Sequence, residues 1–166
     1  MIISHRGNLI GQNPAHENNP IHIDRILKLL DLISDKMAFA LLIELDVYKD
    51  GFNWYLGHDG PTYKVDFSYL KHPRFILHAK NIEAFNELFL HGLHTFFHDS
   101  DALTMTNRGF IWAHVNTDLN NWHGDVLGKT IAVMPEVKMT NNLHTLNKCA
   151  GICTDYAGKY LELKLD

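Results

Sequence analysis

The spacing of apolar and polar positions changes several times along the chain, and each change marks an element. Met1 to Ser4 is a short apolar run that stops at His5-Arg6-Gly7, the pattern of a buried strand ending in a polar loop. The stretch NLIGQNPAHENNP is rich in Asn, Gly and Pro and reads as a loop. From Pro20 the period becomes helical. Ile23, Ile26, Leu27, Leu30 and Ile33 recur every three or four residues, while Asp24, Lys28 and Asp31 fill the opposite face. AFALLIELDVYKDG is then a strand, and its relation to the first implies a parallel pair joined by a right-handed crossover. RFILHAKN predicts a third strand. IEAFNELFLHG predicts a helix with Ile82, Phe85, Leu88 and Phe89 on one side and Gly92 as its stop. Four more strands are expected at HTFFHDS, RGFIWAHV, KTIAVMPE and GICTDYA, joined by loops or very short helices, because segments such as TDLNNWHGDVLG lack helical periodicity.

A regularity runs through these elements. His5 closes the first strand, Glu44 and Asp46 the second, His78 and Lys80 the third, His98 the fourth, Trp112 and His114 the fifth, Glu136 the sixth and Asp155 the seventh. In a parallel barrel the C-terminal strand ends are where loops assemble an active site. The expected fold is therefore α/β, a TIM-type (β/α) barrel. At 166 residues the chain is shorter than the roughly 200 such barrels usually need. A minimal or incomplete barrel is expected, with helices reduced in the second half and one domain spanning residues 1–166.

Within the second strand, alternation places Glu44 and Asp46 on one face and Ile43, Leu45 and Val47 on the other. Two neighbouring carboxylates repel unless a cation, a shared proton or water offsets them, so the pair is a candidate metal site or acid/base pair. The plain alternative is the solvent-facing edge of an amphipathic strand. A net charge of −4 supplies no polycationic field, which argues against a nucleic-acid partner. No apolar run is long enough for an integral membrane segment, and MIISHRGN lacks the features of a signal peptide, so a cytoplasmic location is expected. Cys149 and Cys153 match neither a zinc ribbon nor a disulfide framework and are expected as free core thiols. The 12 histidines are the one compositional oddity. Of these, His16, His22, His72, His91, His94, His123 and His144 fall in loops or helix edges and are expected at the surface.

SHRG, PAHENN, IELDV with the following DG, and GHDGPT, in that order, resemble the motifs HRG, P-E-N-T, E-x-D and H-D of the glycerophosphodiester phosphodiesterase family. LHAKN sits where that family has a strand carrying E-x-K, and GICTDY is similar to its final strand, so the likeness spans nearly the whole chain and is densest from His5 to Asp59. The resemblance implies a metal-dependent phosphodiesterase acting on a small glycerophosphodiester-type substrate. On that reading His5 and His58 are the general acid/base pair, Glu17, Glu44 and Asp46 hold one divalent cation (magnesium, calcium or manganese), and Arg6 and Lys80 hold the phosphate. Arg6 and Lys80 have an alternative as ion-pair partners of the carboxylates.

Such chemistry needs these residue types. Cations stabilise charge gathering on the phosphoryl oxygens, and imidazoles near neutral pKa move protons. The chain departs from the family at His78, which replaces a glutamate, and in having little room for an insertion after the second strand. His78 is a candidate further ligand, which would shift the preference toward manganese or zinc; hydrogen bonding to a carboxylate or substrate is the alternative. A different class of function is a catalytically silent barrel that binds a phosphorylated ligand or partner protein.

Overall fold

Strand β1 is Ile2–His5, followed by helix α1 at Pro20–Leu32 and the long strand β2 at Leu41–Asp50. The computed structural model describes residues 1–32, 41–138 and 140–162. Ile33, assigned above to the first helix, and Ala38 to Ala40, assigned to the second strand, lie outside them. Strands β3 (Asn53–Leu56) and β4 (Tyr63–Val65) come next, then a 3₁₀ turn at Tyr69–Lys71, β5 (Phe75–Ala79) and α2 (Ile82–Leu90). In the second half lie β6 (Thr95–Phe97), β7 (Leu103–Met105), β8 (Ile111–Ala113), α3 (Gly124–Leu127) and β9 (Thr130–Val133). Helices α4 (Pro135–Lys138) and α5 (Leu143–Leu146), strand β10 (Gly151–Thr154) and helix α6 (Ala157–Glu162) complete it.

All of these strands belong to one ten-stranded mixed sheet. Its parallel run is β6-β5-β2-β1-β10-β9-β8; β7 adds to β8 antiparallel, and β3 and β4 form an antiparallel extension of β2. The sheet curls into a half-barrel, which corrects the expected TIM-type barrel. Three findings overturn that expectation. The sheet is mixed rather than parallel. Among the described residues no strand ladder joins β6 to β7; the link is Thr104 Oγ1 donating to the Phe97 carbonyl at 3.1 Å and Asn107, whose Oδ1 accepts from Thr95 N at 3.0 Å. The helices are few and short: after α2 none of the described ones exceeds six residues. Four-residue turns such as α3 and α5 cannot cover a strand as an outer helical ring does.

The sheet's two faces bury different sets. On the outer face Ile23, Ile26 and Leu30 of α1 and Ala84 and Leu88 of α2 pack with Ile43, Leu45, Val47, Phe75 and Leu77. The register within α2 differs from the expected one. Ile82 and Phe89 are half exposed, whereas Ala84 and Leu88 are buried; Asn81 caps the helix, its side chain accepting from Ala84 N. On the inner face Ile3, Ile76, Phe96, Trp112, Ile131, Val133 and Cys153 meet in one cluster. They come from β1, β5, β6, β8, β9 and β10, and their burial against one another is what curls the sheet. Among the described residues no helix is long and apolar enough to cross a membrane.

Candidate active site at the strand ends

Strand alternation turns the inner cluster into the floor of a cavity. On every inner-face strand but β9, where Val133 is followed by Pro135, the inward position two residues beyond the apolar one is polar: Ile3 is followed by His5, Leu42 by Glu44 and Asp46, Ile76 by His78 and Lys80, Phe96 by His98, Trp112 by His114, and Cys153 by Asp155. The register aligns them, with His5 beside Glu44 and Asp46 beside His78. A cavity of about 260 Å³ results, lined on one side by His5, Arg6, Glu44, Asp46, His58 and Lys80 and on the other by His98, Trp112, His114 and Met134.

Arg6 adopts a left-handed backbone (φ 53°), an arrangement that costs a non-glycine residue about 1–2 kcal/mol. That turn aims its backbone N–H at Glu44 Oε2 (3.2 Å), its Nε at Asp46 Oδ2 (3.1 Å) and its Nη1 at Glu17 Oε2 (3.2 Å). Asn18, also left-handed (φ 55°), exchanges hydrogen bonds with Asp46, donating from Nδ2 to Oδ2 at 3.1 Å and accepting from the backbone N–H at 2.9 Å. Asp46 Oδ1 faces His78 Nδ1 at 2.9 Å and Lys80 Nζ at 3.6 Å. Burial alone pushes Asp46 up, but the hydrogen bond from His78 and the charges of His78, Arg6 and Lys80 outweigh it and hold the carboxyl well below its usual range.

Glu44 stands differently. Its nearest side-chain nitrogens are His78 Nδ1 at 3.9 Å and His5 Nε2 at 4.0 Å, and burial, then the neighbouring Asp46 charge, push its pKa up. A carboxylate in that position suits a cation. Ligand atoms of Glu44, Asp46 and His78, all buried, lie within 4.8 Å of one another, and among the described residues no other three histidine, cysteine or acidic side chains do so. The donor set fits a divalent cation, with mixed oxygen and nitrogen ligands favouring manganese or zinc over calcium. Glu17 is not part of this group. It binds Arg6 and accepts from Asn8 Nδ2 (3.2 Å), so the structure places it behind the arginine.

The two histidines singled out above both line the cavity but are held differently. His5 is buried, and its Nδ1 meets Asp155 Oδ1 at 2.9 Å, leaving Nε2 toward Glu44. Burial lowers its pKa, but Asp155 and Glu44 more than compensate and leave it raised. Asp155 is fixed in turn by Asn8 Nδ2 (2.8 Å). Glu136 Oε1 accepts from the Asp155 backbone N–H (3.1 Å) and from Thr154 Oγ1 (2.6 Å). Thus Asp155 and Glu136, marked in the sequence only by their strand-end positions, form a support under His5. His58 sits at the rim on the loop after β3, its Nδ1 on the exposed Asp59 and its carbonyl accepting from Tyr48 Oη at 2.9 Å. Gly57 makes that turn possible: φ is 155°, and a Cβ there would lie 2.1 Å from the Gly60 carbonyl oxygen.

Sequence reasoning missed the relation between His78, His98 and His114. The His78 and His98 rings stack at 4.6 Å, and His98 and His114 bring their Nε2 atoms to 3.2 Å. Their places at adjoining strand ends were the available signal. His94 is buried rather than at the surface, whereas Cys153 is buried and Cys149 partly so, both as free thiols.

No protein-family model, no curated protein and no solved structure matches this chain.

Proposed function

We propose that the cavity hydrolyses a small phosphodiester of the glycerophosphodiester type. The observation that supports this best is that two imidazoles, His5 and His58, line the same cavity as two cationic side chains and a buried acid–imidazole cluster able to hold a cation. Arg6 and Lys80 flank Asp46 and present positive charge to a phosphate entering between them. A divalent cation on Glu44, Asp46 and His78 would supply Lewis-acid stabilisation of phosphoryl oxygens.

The chain's own groups then divide the proton work. His5, made more basic by Asp155 and Glu44, carries a proton on Nε2 and gives it to the departing alcohol oxygen. His58 takes a proton from an attacking water as its oxygen bonds to phosphorus and the ester P–O bond breaks; the alcohol leaves with the proton from His5, the other product is the phosphomonoester, and proton exchange with solvent resets both imidazoles. Asp155 keeps the His5 ring oriented.

A second reading is binding of a phosphorylated ligand or partner without turnover. It is favoured by the exposure of His58, whose side chain is 39% exposed and held by an Asp59 that is 97% exposed. One experiment separates the two: purified protein is assayed against bis-(p-nitrophenyl) phosphate and a panel of glycerophosphodiesters, with and without each divalent metal. Metal-dependent release of alcohol supports the hydrolase. Binding of the same compounds without release under every metal supports the second reading.

A further inference from the structure

Among the described residues the non-glycine positions with left-handed backbone are Arg6, Asn18 and Met134. All of them belong to the cavity: Arg6 and Met134 line it, and Asn18 holds Asp46. Backbone strain of this kind persists where the surrounding structure over-determines it, and it clusters at functional sites. Arg6 and Asn18 are accounted for by the carboxylates they bind. Met134 (φ 47°) has no such partner. Its turn is fixed from two sides, the N–H donating to the Cys153 carbonyl at 2.7 Å and the carbonyl accepting from Val137 N at 3.1 Å. A glycine would make the same turn without strain, so the turn alone does not call for methionine. What methionine adds is a side chain in the cavity wall.

That wall differs from the one across the cavity. Arg6 and Lys80 stand with Glu44 and Asp46 on one side, whereas Met134 stands with Trp112, Val115 and Val133 on the other. His98 and His114 lie on the apolar side too, but their Nε2 atoms engage each other at 3.2 Å. Asp99, exposed and shared with an adjoining cleft, is the acidic residue lining this side. A phosphate held between Arg6 and Lys80 has the apolar wall across from it, where an ester substituent would lie. Hydroxyls pressed against such a wall lose water without gaining partners, whereas an apolar body gains by leaving water. The flexible thioether of methionine adapts to the shape of what it meets and makes favourable sulfur–aromatic contacts.

We infer that Met134 is a specificity-determining residue which, with Trp112, Val115 and Val133, forms the subsite for the departing alcohol and selects an uncharged aromatic one over a polyol such as glycerol or a quaternary ammonium alcohol such as choline. The inference rests on the reading of the cavity as a phosphodiester site and names the substrate class within it: a glycerophosphate esterified to an aromatic alcohol.

Three phosphonate analogues are titrated by calorimetry into the full-length protein with manganese. Each is a glycerol ester in which CH₂ replaces the oxygen that would leave, bearing a phenyl, a diol or a trimethylammonium group; the corresponding phosphodiesters are assayed for turnover. The parent is expected to bind the phenyl analogue about tenfold or more tightly than the other two. Met134→Gly keeps the left-handed turn, and with it Glu136 beside Asp155, while removing the side chain. It is expected to melt at or above the parental Tm and to hold the analogues within about twofold of one another. Met134→Leu is expected to retain the preference. A parent that binds the diol or trimethylammonium analogue as tightly as the phenyl one, a parent that binds none, or Met134→Gly with the parental preference overturns the inference. Phenyl-selective binding without turnover of any diester would uphold the subsite and refute the hydrolysis. Equal binding of all three with turnover of their diesters at equal kcat/KM would refute the subsite and uphold the hydrolysis.

Discussion

Asp155 Oδ1 lies 2.9 Å from His5 Nδ1, joining residues 150 positions apart in sequence and fixing which face of the imidazole meets the cavity. The contact also sets the proton affinity of the ring. Asp155→Asn keeps the shape but removes the charge that opposes the effect of burial on His5. In the proposed hydrolysis His5 is the acid, so a lower pKa would leave it protonated only at lower pH. The alkaline limb of the pH–rate profile is expected to move toward acid, and turnover at neutral pH to fall about a hundredfold. A profile with an unmoved alkaline limb would show that Asp155 does not tune His5.

His94 is buried, its Nε2 has no hydrogen-bond partner among the described residues, and burial followed by the charge of Arg108 pushes its pKa down to about 4. The unfolded chain therefore binds this proton more readily than the folded one. Stability attributable to the neutral ring is complete above the unfolded value near 6.5 and drains away as pH falls toward 4. Denaturant unfolding at pH 7 and pH 4.5 should show His94→Gln losing less stability on acidification than the parent. Equal losses would contradict this.

Gly57→Ala tests the turn that carries His58. Its Cβ would collide with the Gly60 carbonyl and with Thr62 Oγ1 at 2.7 Å, and displacing a backbone from such a conformation costs on the order of 1–3 kcal/mol. Since the strain falls on the rim loop, turnover is expected to drop at least tenfold, with a small loss in Tm. Parental kcat would show that His58 tolerates the shift.

Phe96 links core and site. It is fully buried and stacks on Trp112 at 4.4 Å and on His78 at 4.7 Å. Phe96→Ala is expected to cost about 3–5 kcal/mol of stability and to weaken metal binding at His78, read by thermal melts with and without manganese. A loss under 1 kcal/mol would mean the inner cluster does not organise the sheet.

The sequence made the inward faces legible because alternation is local: the placement of Glu44, Asp46, His78 and Lys80 on one face follows from spacing alone. The β-hairpin of β3 and β4 was missed because NWYL and YKV are brief and their pairing depends on the extended end of β2. Strand β7, three residues with partly exposed side chains, has no apolar run to announce it. Its antiparallel pairing with β8 is a tertiary outcome, and with it went the expectation of a TIM-type barrel. Glu17 carried a motif position but folds behind Arg6, a placement set by Asn8 and the left-handed turn at Arg6 that no local pattern reveals.

The central claim is that His5 and His58 move protons in phosphodiester cleavage at a cation-bearing centre. The most direct test is turnover of bis-(p-nitrophenyl) phosphate by the manganese-supplemented parent, by His5→Ala and by His58→Ala. The account predicts measurable parental turnover that falls by about a hundredfold or more in each variant. A parent inactive with every divalent metal, or either variant turning over at the parental rate, would contradict it.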